Sequence, residues 1–546
     1  MAETPRTIRE ALDIAAARAP NKPYLLFEDQ SITFGELRSR VDRAANVFRG
    51  LGIRKGDRVS LMLPNAPAFL ECWFGLNSIG ASMVPVNVAY RAREAGYIVD
   101  HSESRMLVVD GRYLEVARDA ATECAQLDLG LLVLGSAPAS AGDELLRPSY
   151  EALMLEAPDT PVDVRLDAQD EASVLYTSGT TGNPKGCVEE HSYYLLAARV
   201  YTRVLGLGAD DRVLTPLPLF HMNPQILSAM GTLLVGGSLV ILDRFHPRSW
   251  WDSVRETRPT VFHYLGVMPA MLMGLPGSAD DADQPARLGI GAGVPPDLHA
   301  RFEKRFNCKL LEVFGMTEVG LNFCCPPDGD RRVGRRCFCR VFPEYEARVV
   351  GDDDRELAAG QIGELALRGS DAGRPRLGFM REYLKNPEAT ADAWRGGWFH
   401  TGDYVSADVD GWVSFIDRKK DIVRRSGENI ASSEVEAVLR DHPSVLDAAV
   451  IGVPDPIREE EIKAYVIMQP GHSAETDGPE ALLTWCEERL AYFKVPRYLE
   501  YRDSFPRTPT EKVQKQLLKR ERDELTTECY DRLAELGSDS KARSRV

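Results

Sequence analysis

The chain has 546 residues, with 66 Lys and Arg against 82 Asp and Glu, which gives a formal net charge of −16. Hydrophobic residues make up 44% and charged residues 27%, the balance of a globular protein, so a mainly disordered chain is excluded. The negative charge repels phosphate backbones and argues against a nucleic-acid partner, although a single nucleotide could still bind in a locally positive pocket.

The cysteines and the apolar stretches indicate the cell compartment. Neither clustered cysteine pair, Cys324 with Cys325 or Cys337 with Cys339, has the C-x-x-C spacing of zinc sites, so we predict free thiols in a reducing cytosol. The N-terminus carries charges throughout and lacks the apolar core of a signal peptide. The uncharged stretch 213–242 is broken by prolines and by two glycines, which favours a buried helix, a turn and a buried strand. We therefore expect a cytoplasmic protein without a membrane span.

Helical patterns and short apolar runs alternate up to about residue 335. Apolar residues recur at helical spacing in GELRSRVDRAANVFRGLG, and the pattern of PNAPAFLECWFGLNSIGA predicts a second helix. The runs that predict covered strands are DRVSLML, SMVPVN, SRMLVVD, VLTPLPL and GSLVILD. Strands that alternate with helices predict crossover connections and mainly parallel sheets.

After about residue 335 the pattern changes. The stretch EYEARVVGDDDRELAAGQIGELALRG has short runs separated by glycine and acidic turns, which predict antiparallel hairpins. Beyond the charged run at 417–423, two helical and two strand patterns predict a small α+β domain of about 100 residues. For the tail that begins at Lys519 we expect a frayed helix and solvated charge.

The strongest local signal is the segment 174–186, VLYTSGTTGNPKG, in which an apolar run enters a loop rich in glycines and hydroxyls and ends with a lysine. Glycines let backbone N–H groups approach an anion closely, and hydroxyls and an ammonium add donors. The segment therefore predicts a phosphate-binding loop. It differs from a Walker A loop because Pro184 stands where that motif has glycine.

The segment 176–186 resembles the signature of the adenylate-forming superfamily, which comprises acyl-CoA synthetases, adenylation domains and luciferases. Further motifs resemble those of this superfamily and follow in its order, at 313–318, 401–403, 417–430 and 506–512. The N-terminal SITFGELRSRVDRAANVFRGLGIRKGDRV is similar to the family opening. The stretches RSGENIASSEVE and PRTPTEKVQK also resemble bacterial ligases grouped with crotonobetaine/carnitine-CoA ligases.

The resemblance implies an α/β fold with a large N-terminal body of several subdomains and a small C-terminal domain. Residues 1–419 would form the AMP-binding domain, with mainly parallel sheets and a β-rich subdomain. Residues 420–525 would form a mobile α+β domain that rotates between half-reactions, and residues 526–546 a charged tail. Lys420 falls at the hinge of the family.

The same resemblance implies an ATP site. Gly291, Ala292 and Gly293 would lie against adenine, and Phe314, followed by Gly315 and Met316, would stack on its other face. Asp403 and Arg418 would bind the ribose, since a carboxylate and a guanidinium suit its hydroxyls. The residues expected to surround the phosphates are Thr177, Ser178, Gly179, Thr180, Thr181, Gly182 and Lys185.

The resemblance also assigns catalytic roles. Lys512 would bridge the α-phosphate and the departing pyrophosphate, where an ammonium stabilises the charge that develops. Thr317 would contact the α-phosphate, and Glu318 would help to hold Mg²⁺, a hard cation that prefers oxygen ligands. The chain departs from the family where Glu511, in place of glycine, precedes Lys512.

Coenzyme A and the acid would bind elsewhere. Ser426 and Gly427 would help to form the pantetheine tunnel, and the preceding arginine pair would either meet CoA phosphates or be solvated. His221 would gate the acyl pocket, with a hydrogen-bonded core histidine as the alternative. The run 262–268 predicts pocket walls or, equally, a buried core strand.

These assignments predict an ATP-dependent acyl-CoA synthetase that forms an acyl-adenylate and then an acyl-CoA, with ATP, Mg²⁺ and coenzyme A, in fatty acid or related acid metabolism. Alternatives are a stand-alone adenylation enzyme that loads a carrier protein, a luciferase-like oxygenase, and a non-catalytic nucleotide-binding homologue. The partners expected are small molecules: a carboxylic acid, ATP and CoA. The sequence does not name the acid, and it leaves the oligomeric state open, with a homodimer as one candidate.

Overall fold

The computed structural model describes residues 4–135, 145–177, 183–351, 353–418, 422–426, 428–474, 476–506, 513, 515–522 and 524–535. The chain forms two compact units. The first comprises Met1–Val88, Ala95–Tyr176 and Gly186–Asp417, and the second Ala89–Glu94, Thr177–Lys185 and Arg418–Val546.

The first unit is built around three sheets. Its strands, in chain order, are β1 (Pro23–Phe27), β2 (Gln30–Thr33), β3 (Arg58–Met62), β4 (Ser82–Pro85), β5 (Met106–Asp110), β6 (Leu131–Leu134), β7 (Glu171–Thr177), β8 (Lys185–Glu190), β9 (Arg212–Thr215), β10 (Ser238–Ile241), β11 (Val261–Leu265), β12 (Leu288–Ala292), β13 (Lys309–Met316), β14 (Gly320–Cys324), β15 (Tyr345–Val350), β16 (Ile362–Gly369), β17 (Glu382–Tyr383), β18 (Phe399–Ala407) and β19 (Val413–Arg418).

Helices cover these sheets. They are α1 (Ile8–Arg18), α2 (Phe34–Gly50), α3 (Pro67–Ser78), α4 (Ala92–His101), α5 (Leu114–Ala121), α6 (Tyr150–Glu156), α7 (His191–Leu205), α8 (Gly231–Val235), α9 (Trp250–Thr257), α10 (Val267–Met273), α11 (Pro296–Phe306) and α12 (Pro387–Ala393). A π-helix at Pro224–Met230 precedes α8, and 3₁₀ turns lie at Gly111–Tyr113 and Arg395–Gly397.

The eight-stranded sheet has the order β14-β13-β12-β11-β9-β10-β1-β2. Strands β1, β10, β9, β11, β12 and β13 run parallel, whereas β2 and β14 are antiparallel edge strands. The seven-stranded sheet has the order β17-β8-β7-β4-β3-β5-β6. Its pairs β3–β4, β3–β5 and β5–β6 are parallel, and β17 is antiparallel to β8. The predicted parallel α/β architecture is confirmed.

The helix predicted at 35–52 is α2, and its apolar face lies in the core. Leu37, Val41 and Phe48 are fully buried. Thr33 and Glu36 form a capping box, because the Thr33 hydroxyl accepts from the Glu36 N–H and the Glu36 carboxylate accepts from the Thr33 N–H. The helix therefore starts where its cap residues stand and packs where its periodicity predicts.

The uncharged stretch also folds as predicted. The π-helix and α8 are largely buried, Gly236 ends α8 in the left-handed region with φ 71°, and β10 follows as a buried strand. Among the residues that the structure describes, no helix is long and apolar enough to cross a bilayer.

The β-rich part is a four-stranded sheet with the order β15-β16-β18-β19. Strand β15 pairs with β16, and β16 with β18, in antiparallel registers. The predicted hairpin is therefore confirmed.

The second unit contains β20 (Ile422–Arg425), β21 (Glu428–Ala431), β22 (Val445–Asp455), β23 (Glu459–Met468), β24 (Tyr498–Tyr501) and β25 (Tyr530–Asp531) in one sheet. Its helices are α13 (Ser432–Arg440), α14 (Pro479–Arg489), α15 (Lys515–Lys519) and α16 (Arg532–Glu535), with a 3₁₀ turn at Tyr492–Lys494. The predicted small α+β fold is confirmed.

The expectation of a frayed helix in the tail is corrected at Tyr530–Asp531, which form β25 and pair with β24. Asp531 also accepts from the Arg497 guanidinium at 3.0 Å. A charged segment therefore gains partners in the sheet that its local sequence does not reveal.

Candidate functional site

Small residues at the ends of β12 and β13 form one edge of the candidate site. The two strands are parallel neighbours, with Gly291 beside Glu312, and ligands bind at the carboxyl ends of such strands. A Cβ on Gly291 would lie 2.1 Å from the Tyr264 carbonyl oxygen, and one on Gly315 would lie 2.4 Å from that of Gly320. Only glycine fits at these two positions, so the edge stays flat and open to backbone approach.

A buried carboxylate holds the turn after β12. The backbone N–H groups of Gly293 and Val294 both donate to Glu312 Oε1, each at 3.0 Å. Gly293 has φ 83°, in the left-handed region that favours glycine. Burial raises the pKa of Glu312, and the nearby His299 offsets part of this rise. Glu312 thereby fixes the loop that contains the candidate adenine-facing residues.

Phe314 lies beside this edge in an aromatic cluster. Its ring stacks on Phe338 at 5.0 Å between centroids and 29° between planes, and it contacts Phe323 edge-on at 5.8 Å. The Phe338 N–H donates to the Val413 carbonyl at 3.1 Å, and the Val413 N–H donates to the Cys339 carbonyl at 2.9 Å. The end of β13 is therefore joined to β19, which brings the eight-stranded and four-stranded sheets together here.

The turn that follows β13 positions Thr317 and Glu318. The Tyr193 hydroxyl donates to the Thr317 carbonyl at 2.7 Å, and the Tyr383 hydroxyl donates to Glu318 Oε1 at 2.9 Å. The Met380 N–H donates to the Glu318 carbonyl at 2.8 Å. Glu318 is buried, with its backbone held by Met380 and its carboxylate oriented by the Tyr383 hydroxyl.

A second carboxyl group, on Glu189, lies close to Glu318. Glu189 is fully buried, and neither of its carboxyl oxygens has a hydrogen-bond partner in the part of the chain that the structure describes. Burial raises its pKa well above the ordinary value, and repulsion by Glu318 adds to this effect. Its strand, β8, pairs with β17, which carries Tyr383. Two acidic groups therefore share one buried region.

This region suits a hard divalent cation, which prefers oxygen ligands. The described residues contain no group of three or more His, Cys, Asp or Glu side chains arranged as a metal site. A Mg²⁺ ion held by one or two carboxylates takes its other ligands from substrate phosphates and water. The unpartnered Glu189 and the oriented Glu318 fit that mode of binding.

Asp403 lies on β18 in a turn of unusual geometry. Gly402 has φ 73°, and its N–H donates to Glu364 Oε1 at 3.0 Å. The Thr401 hydroxyl donates to the Leu365 carbonyl at 2.8 Å and accepts from the Asp403 N–H at 3.2 Å. Asp403 is only 4% exposed, and the turn holds its backbone N–H.

His221 lies in the segment between β9 and the π-helix. Its N–H donates to the Pro218 carbonyl at 3.0 Å, and its ring packs on Phe220 at 4.6 Å. It is half-buried, and its gating role stays a prediction.

The run 262–268 is a core strand in its first part. His263 is fully buried and pairs with the Tyr201 hydroxyl at 2.7 Å and the Ser228 hydroxyl at 2.5 Å. Phe262 packs edge-on against Trp250 at 5.5 Å. Of the two readings of this run, the structure supports the core strand for these two residues, because their partners lie in the protein interior.

Thr177 ends β7 and Lys185 begins β8, at the two ends of the predicted phosphate-binding loop. The Thr177 hydroxyl donates to the Lys185 carbonyl at 3.5 Å. Ser426 is exposed with φ 51°, and its N–H donates to the Arg458 carbonyl at 3.0 Å. These contacts define the backbone at three predicted positions.

For Arg425 we predicted either contact with CoA phosphates or exposure to solvent. Its side chain is instead buried and paired within the second unit. Its guanidinium is 3% exposed and donates to Glu461 at 2.7 Å and to the Phe493 carbonyl at 3.1 Å. Both expectations for this residue are wrong, because the unit uses it as a buried ion pair.

Several predicted residues lie outside the part of the chain that the structure describes: Ser178, Gly179, Thr180, Thr181, Gly182, Lys420, Gly427 and Lys512. Arg418 is described only by its backbone, as the last residue of β19. The roles of these residues stay predictions.

The sequence patterns did not single out Glu189, Glu312, Phe338 or Tyr383. Each acts on a residue that is distant in sequence or on a neighbouring strand, as Tyr383 does on Glu318. The sequence did offer a signal for Glu312, an acidic residue between the apolar neighbours of LLEVF in β13.

Comparisons with known proteins agree with this geometry. The family model for AMP-binding enzyme matches residues 12–384, and that for AMP-binding enzyme C-terminal domain matches residues 434–512. A crotonobetaine/carnitine–CoA ligase of Escherichia coli O9:H4 (strain HS) is 35% identical over 495 residues, which cover 89% of this chain and 92% of the relative.

Solved structures share the fold over almost the whole chain. The amide bond synthetase McbA from Marinactinospora thermotolerans superposes with a TM-score of 0.81 and 26% identity, covering 94% of this chain and 99% of that one. The anthranilate CoA ligase AuaEII, in complex with anthranoyl-AMP, superposes with a TM-score of 0.70 and 25% identity, covering 94% and 97%.

Proposed function

The chain belongs to the family of AMP-binding enzymes, in the branch of AMP-forming CoA ligases, and we propose that it activates a carboxylic acid with ATP and transfers the acyl group to coenzyme A. The products of the first half-reaction are an acyl-adenylate and pyrophosphate, and those of the second are an acyl-CoA and AMP. The observation that supports this most directly is the grouping of Gly291, Phe314 and Glu318 at adjoining strand ends.

In the first half-reaction, the glycine edge and the Phe314 ring would hold adenine between them. Asp403 would accept hydrogen bonds from the ribose hydroxyls, which suits a buried carboxylate. Glu318, with Glu189 nearby, would hold Mg²⁺, and a bound Mg²⁺ neutralises phosphate charge as the substrate carboxylate attacks the α-phosphorus. Thr317 would contact the α-phosphate.

Lys512 would supply a positive charge at the α-phosphate. An ammonium placed between the α-phosphate and the pyrophosphate stabilises the transition state more than the ground state, and such interactions raise the rate of the chemical step. In the second half-reaction the thiol of CoA would displace AMP, with Ser426 and Gly427 beside the pantetheine arm and Lys420 as the hinge. His221 would gate the acyl pocket.

The relatives suggest which classes of carboxylic acid to test first. The curated relatives are crotonobetaine/carnitine–CoA ligases at 34–36% identity, so short acids with a quaternary ammonium are the first class to test. The sequence shows no acidic residue in the predicted pocket run that would pair with such a cation. Uncharged aliphatic and aromatic acids therefore form the second class.

The test measures AMP and pyrophosphate release across a panel of carnitine-like, aliphatic and aromatic acids, each with and without CoA. We expect acid-dependent pyrophosphate release, and AMP release that requires CoA, with the acyl-CoA identified by mass. AMP release that requires a carrier protein or an amine in place of CoA would contradict the CoA ligase proposal. No turnover with any acid, in protein shown to bind ATP, would favour the non-catalytic alternative.

A further inference from the structure

Four buried cysteines lie beside the aromatic cluster of Phe314. Cys324 ends β14 and Cys325 follows it, while Cys337 and Cys339 flank Phe338. All four are free thiols with exposed fractions of 7% or less. The Cys325 thiol lies 4.0 Å from the Cys337 carbonyl oxygen, and the Cys324 thiol donates to the Cys325 carbonyl at 3.3 Å.

A backbone bridge brings the segments of Cys325 and Cys339 together. Phe323 and Val341 form an antiparallel bridge, and in the same register the Phe342 N–H donates to the Asn322 carbonyl at 3.0 Å. Cys325 and Cys339 each lie two residues from this bridge, and their sulfur atoms share a hydrogen bond. A disulfide joins Cβ atoms about 3.5–4.5 Å apart, a separation that two thiols in hydrogen-bond contact can reach.

The electrostatic surroundings distinguish the two thiols. The Cys325 thiol donates a hydrogen bond to the Cys339 sulfur, which lowers the pKa of Cys339, and the Arg340 N–H and the charges of Arg340 and Arg332 act in the same direction. The same hydrogen bond, with burial, raises the pKa of Cys325. A thiolate is the reactive form of cysteine. Cys339 is therefore suited to react first with an oxidant, and Cys325 to react with the oxidised Cys339.

We propose that Cys325 and Cys339 are a site of oxidative modification, at which a peroxide converts the two thiols into an intramolecular disulfide. The placement rests on the bridge between Phe323 and Val341 and on the hydrogen bond that the two thiols share. Cys339 also has φ 75°, in the left-handed region, so its backbone departs from the regular strand that the bridge at Val341 begins.

The reaction balances as two thiols and one hydrogen peroxide giving one disulfide and two waters. The Cys339 thiolate attacks a peroxide oxygen, which breaks the O–O bond and, with one proton, gives a sulfenic acid and water. The Cys325 sulfur then attacks the sulfenic sulfur, forms the S–S bond, and releases the second water with its own proton. An added dithiol reduces the disulfide to the two thiols again.

The test treats the full-length protein with hydrogen peroxide, blocks the remaining thiols by alkylation, and maps tryptic peptides without reduction. Cleavage after Lys309, Arg331, Arg336 and Arg340 places the two pairs of cysteines on separate peptides, 310–331 and 337–340. We expect these peptides to become joined with the loss of two hydrogens, and to separate again on treatment with dithiothreitol. Peroxide treatment that leaves them unjoined would overturn the proposal.

Matched variants identify the pair. Cys325→Ser and Cys339→Ser should each abolish the joined peptides, whereas Cys324→Ser and Cys337→Ser, which change the adjacent cysteines, should retain them. Joined peptides that persist in Cys325→Ser or Cys339→Ser would refute the assignment. Because fragmentation of the joined wild-type peptides also locates the sulfur atoms, the assignment can be tested even where a variant folds poorly.

The disulfide should also affect the nucleotide, a consequence that rests on the proposed function. Phe338 stacks on Phe314 and is bonded to Cys339 through the backbone, so drawing Cys339 towards Cys325 displaces one ring of the stack. We expect the oxidised wild type to bind ATP about three- to tenfold more weakly, and Cys339→Ser to show no change with peroxide. Joined peptides with unchanged ATP affinity would overturn this link alone, whereas protein that binds no ATP in either state would count against the proposed function.

Discussion

The Glu189 carboxyl group lies in the interior of the first unit without a hydrogen-bond partner, close to the carboxylate of Glu318. Burying an acid in this way costs stability when the acid is charged, and proteins retain such groups where they serve a ligand. The sequence shows an acidic residue at position 189, but its burial and its neighbour follow from the packing of β8, β17 and the turn after β13.

Replacing Glu189 with glutamine should stabilise the ligand-free protein at neutral and alkaline pH. The pKa of Glu189 in the folded protein lies above the ordinary value of 4.5, because the buried site disfavours the charged form. The folded protein therefore has its full stability below pH 4.5, where the acid is neutral in both states. That stability is lost as the pH rises through the folded pKa. Because glutamine does not ionise, the variant does not lose stability in this way. We expect Glu189→Gln to raise the free energy of unfolding by about 1 kcal/mol or more at pH 8.

The measurement is denaturant unfolding at pH 5 and pH 8. Glu190→Gln is the matched control, because that half-buried carboxyl accepts a hydrogen bond from the Ser192 hydroxyl at 3.1 Å. Equal changes at both pH values, or a larger change in the control, would show that Glu189 is not the buried acid that the structure places there.

Two buried histidines predict loss of stability in acid. Burial lowers the pKa of His191 to about 4 and that of His263 to about 3. Both groups bind protons more readily in the unfolded chain, so stability present above pH 6.5 is lost as pH falls from 6.5 towards 4, by about 1.4 kcal/mol per pH unit for each. We expect His191→Gln to reduce this slope by about one proton, measured by unfolding between pH 7 and pH 4.5.

His246→Gln, at a histidine whose side chain is 43% exposed, serves as the control for the substitution itself. A slope that does not respond to His191→Gln would mean that this histidine is charged in the folded protein.

At the scale of elements, helices and hairpins follow from local patterns more closely than the site does. Helix α2 begins at its capping box and buries its predicted face, and β15 and β16 form the predicted hairpin. Strand β25 was missed because it exists only through pairing with β24. The edge of the site depends on how closely β11, β12 and β13 approach one another, which no single strand pattern shows.

Gly291→Ala should damage this edge. The added Cβ would lie 2.1 Å from the Tyr264 carbonyl oxygen, a backbone atom that cannot move without shifting β11. We expect a loss of about 2 kcal/mol or more in the free energy of unfolding, together with weaker ATP binding. Gly50→Ala is the control: the position is open and lies at the end of α2, so a gain of up to about 1 kcal/mol is expected. A neutral Gly291→Ala would mean that the strands are further apart.

At the scale of the whole molecule, the proposed reaction assigns different half-reactions to different residues. We expect Lys512→Ala to slow formation of the acyl-adenylate by about 10²–10³-fold, because it removes a charge that stabilises the transition state. Thioester formation from supplied acyl-adenylate and CoA should be largely retained, because the acyl-adenylate has already lost its pyrophosphate. The two rates are measured separately, by pyrophosphate release and by acyl-CoA formation.

Lys515→Ala provides the comparison, because the Lys515 ammonium already donates to the Ser432 hydroxyl at 2.8 Å and pairs with Glu436 at 2.5 Å within the second unit. This variant should lose stability but keep the ratio of the two rates. Equal loss of both half-reactions in Lys512→Ala would contradict the role proposed for that lysine.

The sequence by itself determined the order of the motifs, the alternation of helices and strands, and hence the family and its α/β class, because these features are carried by residues that are neighbours in the chain. Only the tertiary structure decided that Glu189 lies near Glu318, that Phe338 stacks on Phe314, that Arg425 is a buried ion-pair partner, and that the Cys325 and Cys339 thiols share a hydrogen bond. These relations join residues far apart in sequence, and they depend on sheet order, register and burial, which local patterns do not encode.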